Sequence, residues 1–381
     1  MKDVISLAAV RILRLLLRIC WFFPVDSRKV VLTAYNGRQF GCSPKYMAQR
    51  LAETDSRVYY ALKNPNDPSV PEGIHVIGYR SPAYFYHLMT AKYIVVNSSG
   101  LTDLLPYRKK QRLINTWHGG GYFKTMGNDF FVSRAKRAKR RISGKNTFAF
   151  FASCEPFAEQ LLRSMSLRQN AVYRSGLPRN DVFFGDNKNL EAGVYSSLGI
   201  PRENGIILYA PTYRDGLKAS VRDSGYPEID VQKVLAAAEE RFGRKFVFLY
   251  RAHHDMIPEN LSDDCMNVSA YSDMQELLLA ASILITDYSS CMWDYSLQRK
   301  PGFLYAPDLR EYEKGHSFGT KTEDWPFPIC GSNEELAVEI RTYNEESGRQ
   351  RIEHYLARMQ SYEDGHATER AIRELMPDLE V

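Results

Sequence analysis

The sequence predicts two doubly wound α/β domains in tandem, preceded by an amphipathic helix. Three observations carry this expectation. The chain has 381 residues, more than one hydrophobic core ordinarily organises. Short β-branched or aromatic runs alternate with helical stretches, the pattern of parallel sheets with crossover helices. A break between Tyr195 and Gly205, holding Gly199, Pro201 and Gly205, divides that alternation into two series.

The first element is the apolar stretch Val4 to Pro24. Arg11, Arg14 and Arg18 recur at helical spacing, while Ile12, Leu13, Leu16, Ile19 and Phe23 fall on other faces. A bilayer-spanning segment would carry those charges into hydrocarbon at roughly 2.5 to 3.5 kcal/mol each, and no small-residue cleavage site follows. A helix lying in a membrane interface, or a core helix with its arginines at the rim, fits better. The first series of strands is then expected at Val30 to Ala34, Val58 to Leu62, Tyr93 to Asn97, Arg112 to Trp117 and Phe148 to Ala152. The second is expected at Ile206 to Ala210, Lys245 to Tyr250, Ile283 to Thr286 and Gly302 to Tyr305. The helical tail from about Asn333 to Leu375 is expected to close the second domain. The resulting division is 1–24, 25–198, 199–350 and 351–381, the last a candidate to cross back to the first domain.

A formal charge of +5 is too small to demand nucleic acid, but suits an anionic surface or substrate where the excess is clustered. One such cluster is Ser133 to Lys145, with seven Lys or Arg and no acid. It is either a solvated face or a hold for anionic lipid or a pyrophosphate-linked acceptor. The six cysteines form no C-x-x-C pair and have no histidines at zinc spacing, which reads as reduced thiols.

Open parallel sheets place ligands beyond the carboxyl ends of their strands, and the chemistry-bearing residues fall there. Thr116-Trp117-His118-Gly119-Gly120-Gly121, ahead of Lys124, sets a histidine beside glycines that let a ligand approach the backbone. Tyr250-Arg251-Ala252-His253-His254 joins a permanent and a titratable cation. Ile285-Thr286-Asp287-Tyr288-Ser289-Ser290 opens into a helix at Cys291 to Leu297, which Ser289 or Ser290 is expected to cap with its N–H groups turned toward a phosphate. Tyr209 to Asp215 adds Arg214. Each alone reads as a turn or a cap; several strand ends of one domain together offer hydroxyls, Arg and His to an anion. Neighbouring histidines seldom converge on one ion, so no metal is expected.

TWHGGGYFKTMG at Thr116 to Gly127, GLPRND at Gly176 to Asp181, YAPTYRD at Tyr209 to Asp215, RAHH at Arg251 to His254, ITDYSSCMWDY at Ile285 to Tyr295 and KPGFLYAPDLREY at Lys300 to Tyr312 together form an ordered set. The set resembles the CDP-glycerol glycerophosphotransferase family of teichoic acid and capsule synthesis. The resemblance implies a GT-B architecture, two Rossmann-like domains facing across a cleft, with the nucleotide in the C-terminal domain. It implies His118 as the base and His253 at the donor diphosphate. Donor contacts are implied for Arg214, Arg251, Ser289 and Ser290, with Asp287 and Asp294 either orienting the donor or holding the strand-to-helix turn. Gly119, Gly120, Gly121 and Lys124 fall on the acceptor side. The implied donor is CDP-glycerol or CDP-ribitol, with no cofactor, and the implied acceptor an undecaprenyl-diphosphate-linked saccharide or polymer at the cytoplasmic face of a bacterial membrane. One departure is visible: many members read H-G-T-P-L-K where this chain has three glycines and Tyr122-Phe123 before Lys124. The compact chain leans toward a primase. A GT-B sugar-nucleotide glycosyltransferase and a catalytically silent membrane scaffold stay open as alternatives.

Overall fold

The computed structural model describes residues 6–129, 133–212, 228–252, 264–315 and 317–379. It divides into two compact units, one of 1–119, 126–181 and 361–381, the other of 120–125 and 182–360.

The first unit holds a sheet of seven strands: β1 (Asp26–Thr33), β2 (Arg57–Leu62), β3 (His75–Gly78), β4 (Ala91–Val96), β5 (Arg112–Asn115), β6 (Thr147–Ala152) and β7 (Val172–Arg174). They run parallel in the order β3-β2-β1-β4-β5-β6-β7, so the winding reverses between β1 and β4. Val30 and Leu32 enter one core with the C-terminal helix residues Ala371, Ile372 and Leu375; Val31, Ile94 and Val96 enter the other with Tyr84, Leu88 and Leu17. Alternate residues of β1 thus bury on opposite faces, which is why the strand reads as a continuous apolar run.

The second unit repeats this winding with β8 (Gly205–Tyr209), β9 (Phe246–Tyr250), β10 (Cys265–Asn267), β11 (Ile283–Thr286), β12 (Gly302–Tyr305) and β13 (Ile329–Cys330), ordered β10-β9-β8-β11-β12-β13. Its domain boundary lies at Asp181/Val182, not at 198/199. Helix Lys188–Leu198 packs on helix Met274–Ala280 of the second unit, which carries it across the expected line. The second unit also runs on to Gln360, past the expected end at 350, because Tyr355 of helix Glu345–Arg358 packs against Trp293.

The tail from Ser361 belongs to the first unit, and the GLPRND segment docks it. Glu363 accepts hydrogen bonds from the Leu177 amide at 2.9 Å and from Asn180 Nδ2 at 2.9 Å. Asp181 accepts from the Ala367 and Thr368 amides at 2.9 and 2.7 Å, at the start of helix Ala367–Leu375. Gly176 has φ +74°, and a Cβ there would lie 2.7 Å from Glu363 Oε2.

At the N-terminus, Ser6 caps helix Leu7–Leu16, and a 3-10 turn follows at Leu17–Phe22. The three arginines do not form one outward face. Arg14 turns inward, its Nη1 donating to the Leu104 and Leu105 carbonyls at 2.5 and 2.9 Å, beside the 3-10 turn Thr102–Leu104. The guanidinium gives the Leu104 carbonyl a donor at the end of that turn, while the Leu105 carbonyl also accepts the Tyr107 amide at 3.0 Å. Asn146, the last residue of helix Arg134–Asn146, donates to the Asp103 and Leu105 carbonyls at 2.7 and 2.9 Å. The N-terminal and basic helices are therefore anchored on one turn. None of the described helices is long and apolar enough to cross a membrane.

Asp103 lies buried in that turn, accepting from the Gly100 amide and from Ser143 Oγ, and burial raises its carboxyl to about 7. The folded protein holds this proton more tightly than an unfolded chain, where an aspartate has a pKa of about 3.9. The associated stability is full below about pH 4 and is lost as pH rises through 7. Asp103→Asn, which removes the titration, is expected to leave thermal stability nearly unchanged at pH 3 to 4 and to raise it progressively above that, by up to about 4 kcal/mol at pH 8. Melting curves of both proteins across this range provide the check, and a difference that does not grow with pH refutes the assignment.

Candidate functional site

In the first unit the candidate site forms where the winding reverses. The chain leaves β1 at Ala34-Tyr35 and leaves β4 at Asn97, and the side chain of Asn97 spans the gap: its Oδ1 accepts the Tyr35 amide at 2.7 Å. Asn97 is fully buried. Its backbone carbonyl, 2.7 Å from His118 Nδ1, takes a hydrogen bond from that ring. A carbonyl can only accept, so the proton resides on Nδ1 and Nε2 keeps the basic lone pair. His118 is exposed, with Trp117 and Tyr35 rings at centroid distances of 4.4 and 6.0 Å.

Backbone strain gathers at this place. Tyr35, Asn36, Cys42 and Trp117 have φ of 48, 57, 58 and 54°. Left-handed conformations cost non-glycine residues of order 1 to 3 kcal/mol each and persist only where the surroundings over-determine them. Here Trp117 is fixed by its amide donating to Asn115 Oδ1 at 2.9 Å, and Cys42 Sγ lies 3.9 Å from the Trp117 carbonyl. Arg179, buried, brings Nη1 to 3.3 Å from Cys42 Sγ. Sequence reasoning missed Asn97, Tyr35 and Arg179 as parts of the site. Arg179 sits inside a quoted motif, but nothing in the spacing says that GLPRND returns to the strand end carrying His118.

In the second unit the same device recurs. Asp287, the first residue beyond β11, accepts the amide of Thr212, beyond the end of β8, at 2.8 and 3.0 Å. Asp294 is also buried and accepts from Gln275 Nε2 at 3.0 Å. Both predicted donor contacts thus hold backbone and neighbouring helix in place. Ser289 and Ser290 are partly exposed, at the start of helix Cys291–Ser296. That helix has six residues, and Ser290, its N-cap, makes no side-chain cap bond; Ser289 Oγ accepts the Cys291 amide at 3.4 Å. The hydroxyls are in place, but so short a helix has little macrodipole to add. Arg251 Nη1 donates to the Val268 and Tyr271 carbonyls at 3.3 and 2.9 Å, which anchors the chain beyond β10. Arg214 and His253 lie outside the described residues.

The glycine-rich segment divides between the units. His118 and Gly119 belong to the first, whereas Gly120, Gly121 and Lys124, expected on the acceptor side, group with the second. The reason is steric. A Cβ on Gly120 would lie 2.0 Å from Trp293 Cδ1, and one on Gly121, where φ is +68°, would lie 2.7 Å from Phe123 and 2.9 Å from Trp293. Phe123 in turn meets Trp325 edge-on at 5.6 Å and stacks with Tyr355 at 6.0 Å. Lys124 Nζ lies 5.4 Å from the ring centroid of Tyr312, which stacks on Tyr288 at 3.9 Å.

Two parallel sheets with the winding of dinucleotide-binding domains, bearing His, Arg and Ser at their carboxyl ends, define a nucleotide-dependent transferase of GT-B type. Residues 15–376 match the family model described as CDP-Glycerol:Poly(glycerophosphate) glycerophosphotransferase, and the chain belongs to that family. It is 25% identical to the teichoic acid poly(glycerol phosphate) polymerase of Bacillus spizizenii over 96% of both chains. It is 27% identical to the Bacillus subtilis polymerase, of which it spans 44% while matching over 84% of its own length. Compactness therefore does not separate primase from polymerase, since one polymerase is matched along nearly its whole length. Among solved structures, the wall teichoic acid polymerase TagF superposes with a TM-score of 0.81 at 25% identity, covering 97% of this chain and 94% of that one.

Gly120→Ala is expected to destabilise the protein by about 1 to 3 kcal/mol through overpacking against Trp293. A Gly120→Ala/Trp293→Ala pair is expected to recover less than additive loss, read by denaturant midpoints. Equal and additive losses would mean that the two sites do not meet.

Proposed function

We propose that this protein transfers an alditol phosphate from a CDP-alditol to a lipid-linked teichoic acid acceptor and releases CMP. The observation that carries the reading is His118, whose Nδ1 proton is committed to the Asn97 carbonyl. Nε2 is then the nitrogen able to take a proton from an acceptor hydroxyl. As that proton leaves, the hydroxyl oxygen bonds to the β-phosphorus of the donor, the phosphoanhydride bond breaks, and CMP departs with the bonding electron pair. A general base is worth roughly 10² to 10⁴-fold. Family membership supports CDP-alditol as donor, and the second unit supplies Ser289 and Ser290 beside a fixed strand end, where hydroxyls can hold phosphate oxygens.

The rival reading, sugar transfer on the same scaffold, differs in its reacting atom and in its leaving group. Incubation with CDP-glycerol, CDP-ribitol and a lipid-linked disaccharide is expected to yield CMP and a product heavier by one or more alditol phosphates. Release of CDP or UDP from a sugar nucleotide would overturn the proposal. His118→Ala is expected to lower the transfer rate at least a hundredfold with donor affinity nearly unchanged. Retention of a tenth of the rate would remove His118 from the role of base.

The acceptor is held at a membrane in this reading, and the surface of the first unit supports it. Ile12, Leu15, Leu16, Ile19 and Phe22 are 62 to 90% exposed, and Trp21 and Phe23 are exposed beside them. Together they make seven of the eleven large hydrophobic side chains exposed among the described residues. Water alone disfavours such a patch. The basic helix Arg134–Asn146, fixed on the same Thr102–Leu104 turn, adds cations worth about 1 kcal/mol each near anionic headgroups. Leu15→Glu/Leu16→Glu/Ile19→Glu, at positions 64 to 68% exposed, is expected to abolish flotation with phosphatidylglycerol vesicles. The same change should leave transfer to a short soluble acceptor intact. Unchanged flotation would show that this face does not meet lipid.

A further inference from the structure

A cavity of about 690 Å³ opens in the second unit at the amino ends of its strands, lined by Phe246 where β9 begins, Ile283 where β11 begins and Pro301 just ahead of β12. It lies at the opposite end of the sheet from Arg251, Asp287 and Ser289, which follow the carboxyl ends of β9 and β11. Its volume is in the range of small-molecule sites, roughly 300 to 1,000 Å³. The transfer chemistry makes no use of it, although Lys300-Pro301 begins one of the motifs of the sequence.

Five cations line the cavity. Arg349 pairs with Glu346 at 2.5 Å and Arg299 with Glu353 at 3.4 Å, whereas Arg202, Arg244 and Lys300 make no ion pair among the described residues. Arg202 lies over the ring of Tyr195 at 5.0 Å. Arg244 lies over Phe246 at 5.2 Å, and its Nη2 donates to Ser282 Oγ at 2.9 Å. Lys300 Nζ donates to the Leu279 and Ala281 carbonyls at 2.6 and 3.2 Å, capping helix Met274–Ala280. These groups feel one another. Burial holds the Lys300 ammonium below the usual lysine range, Glu191 opposes that and Arg244 adds to it. Arg202, Arg244 and Glu191 all act on the Tyr195 hydroxyl. Glu191, Glu345 and Glu346 share the lining with five cations, so positive charge is in excess at its wall.

A structural reading accounts for Lys300, which caps a helix, but not for Arg202 and Arg244, which lie on aromatic faces with guanidinium donors directed at no carboxylate. Planar guanidinium forks match phosphate oxygens, and the flanking Tyr195, Phe242, Phe246 and Tyr343 offer apolar surface to an organic substituent. We propose that the Arg202–Arg244–Lys300 cavity is a second ligand site, one that binds a phosphate ester. Two sources share this chemistry: a nucleoside monophosphate, with its base against the aromatic wall, and an alditol phosphodiester. The site is separate from the transfer site and does not depend on the proposed reaction.

Calorimetric titration of the full chain with CMP, with glycerophosphoglycerol and with inorganic phosphate distinguishes them. One of the two esters is expected to bind wild-type protein and to lose at least tenfold in affinity in Arg202→Glu/Arg244→Glu. Arg202→Lys/Arg244→Lys, which keeps the charge but not the planar fork, is expected to fall between wild type and the charge reversal. The loss is expected to be the same in a Ser289→Ala/Ser290→Ala background, which separates this cavity from the strand ends bearing those hydroxyls. A response to CMP assigns the site to a nucleotide, and a response to the diester assigns it to an alditol phosphate chain. Isotherms of both esters that charge reversal leaves unchanged, or a response confined to inorganic phosphate, overturn the proposal. Because no turnover is measured, an inactive transferase and an empty cavity give different results.

Discussion

The structure of each unit depends on one polar side chain placed just beyond the strand where the winding reverses. Asn97 reaches the Tyr35 amide in the first sheet, and Asp287 reaches the Thr212 amide in the second. At a reversal the two crossover connections leave in opposite directions, so the ends of β1 and β4, or β8 and β11, part and leave a backbone amide without a ladder partner. A buried amide left unbonded costs of order 1 to 3 kcal/mol, and a short side-chain acceptor at this position removes that penalty.

Function is built on this tie. The same Asn97 that bridges the crevice offers its carbonyl to His118, so the proton of the imidazole is assigned by the element that shapes the site. The left-handed residues Tyr35, Asn36, Cys42 and Trp117 surround it, strain that the packing of the sheet ends sustains. Asp287 has the corresponding place in the second unit, where its oxygens accept the Thr212 amide. The six cysteines are free, and burial pushes the thiols of Cys154 and Cys330 up to about 12 and those of Cys265 and Cys291 to about 11, so they serve as apolar filler.

Legibility in the sequence followed burial. Every strand anticipated from an apolar run, such as Val30 to Ala34 or Ile283 to Thr286, is interior to its sheet, where both faces are covered and both must be apolar. The four strands that no run announced, β3, β7, β10 and β13, are the four edges. His75, Arg174 and the exposed Met266 and Asn267 can stand there because one side meets water, and such strands lose the signature that marks the others. The glycines before Lys124 carried a signal without its meaning. They were legible as a close backbone approach, and the group that makes that approach at Gly120 and Gly121 is the indole of Trp293.

By itself the sequence determined the two doubly wound series, the residues at the strand ends and, through the ordered motifs, the family. These are properties of local pattern: hydrophobic period, turn chemistry and short segments that recur intact. Only the tertiary structure decided which segments belong together. It assigned 120–125 to the second unit and the tail from Ser361 to the first, turned Arg14 inward onto the Leu104 and Leu105 carbonyls, and gave Asp287 and Asp294 to structural bonds. Each of these outcomes rests on a partner far away in sequence, 90 residues from Arg14 to Leu104 and 75 from Thr212 to Asp287. Periodicity extends over a few turns or strands and carries no record of such partners, whereas a buried amide, carbonyl or carboxylate must find one wherever the fold places it.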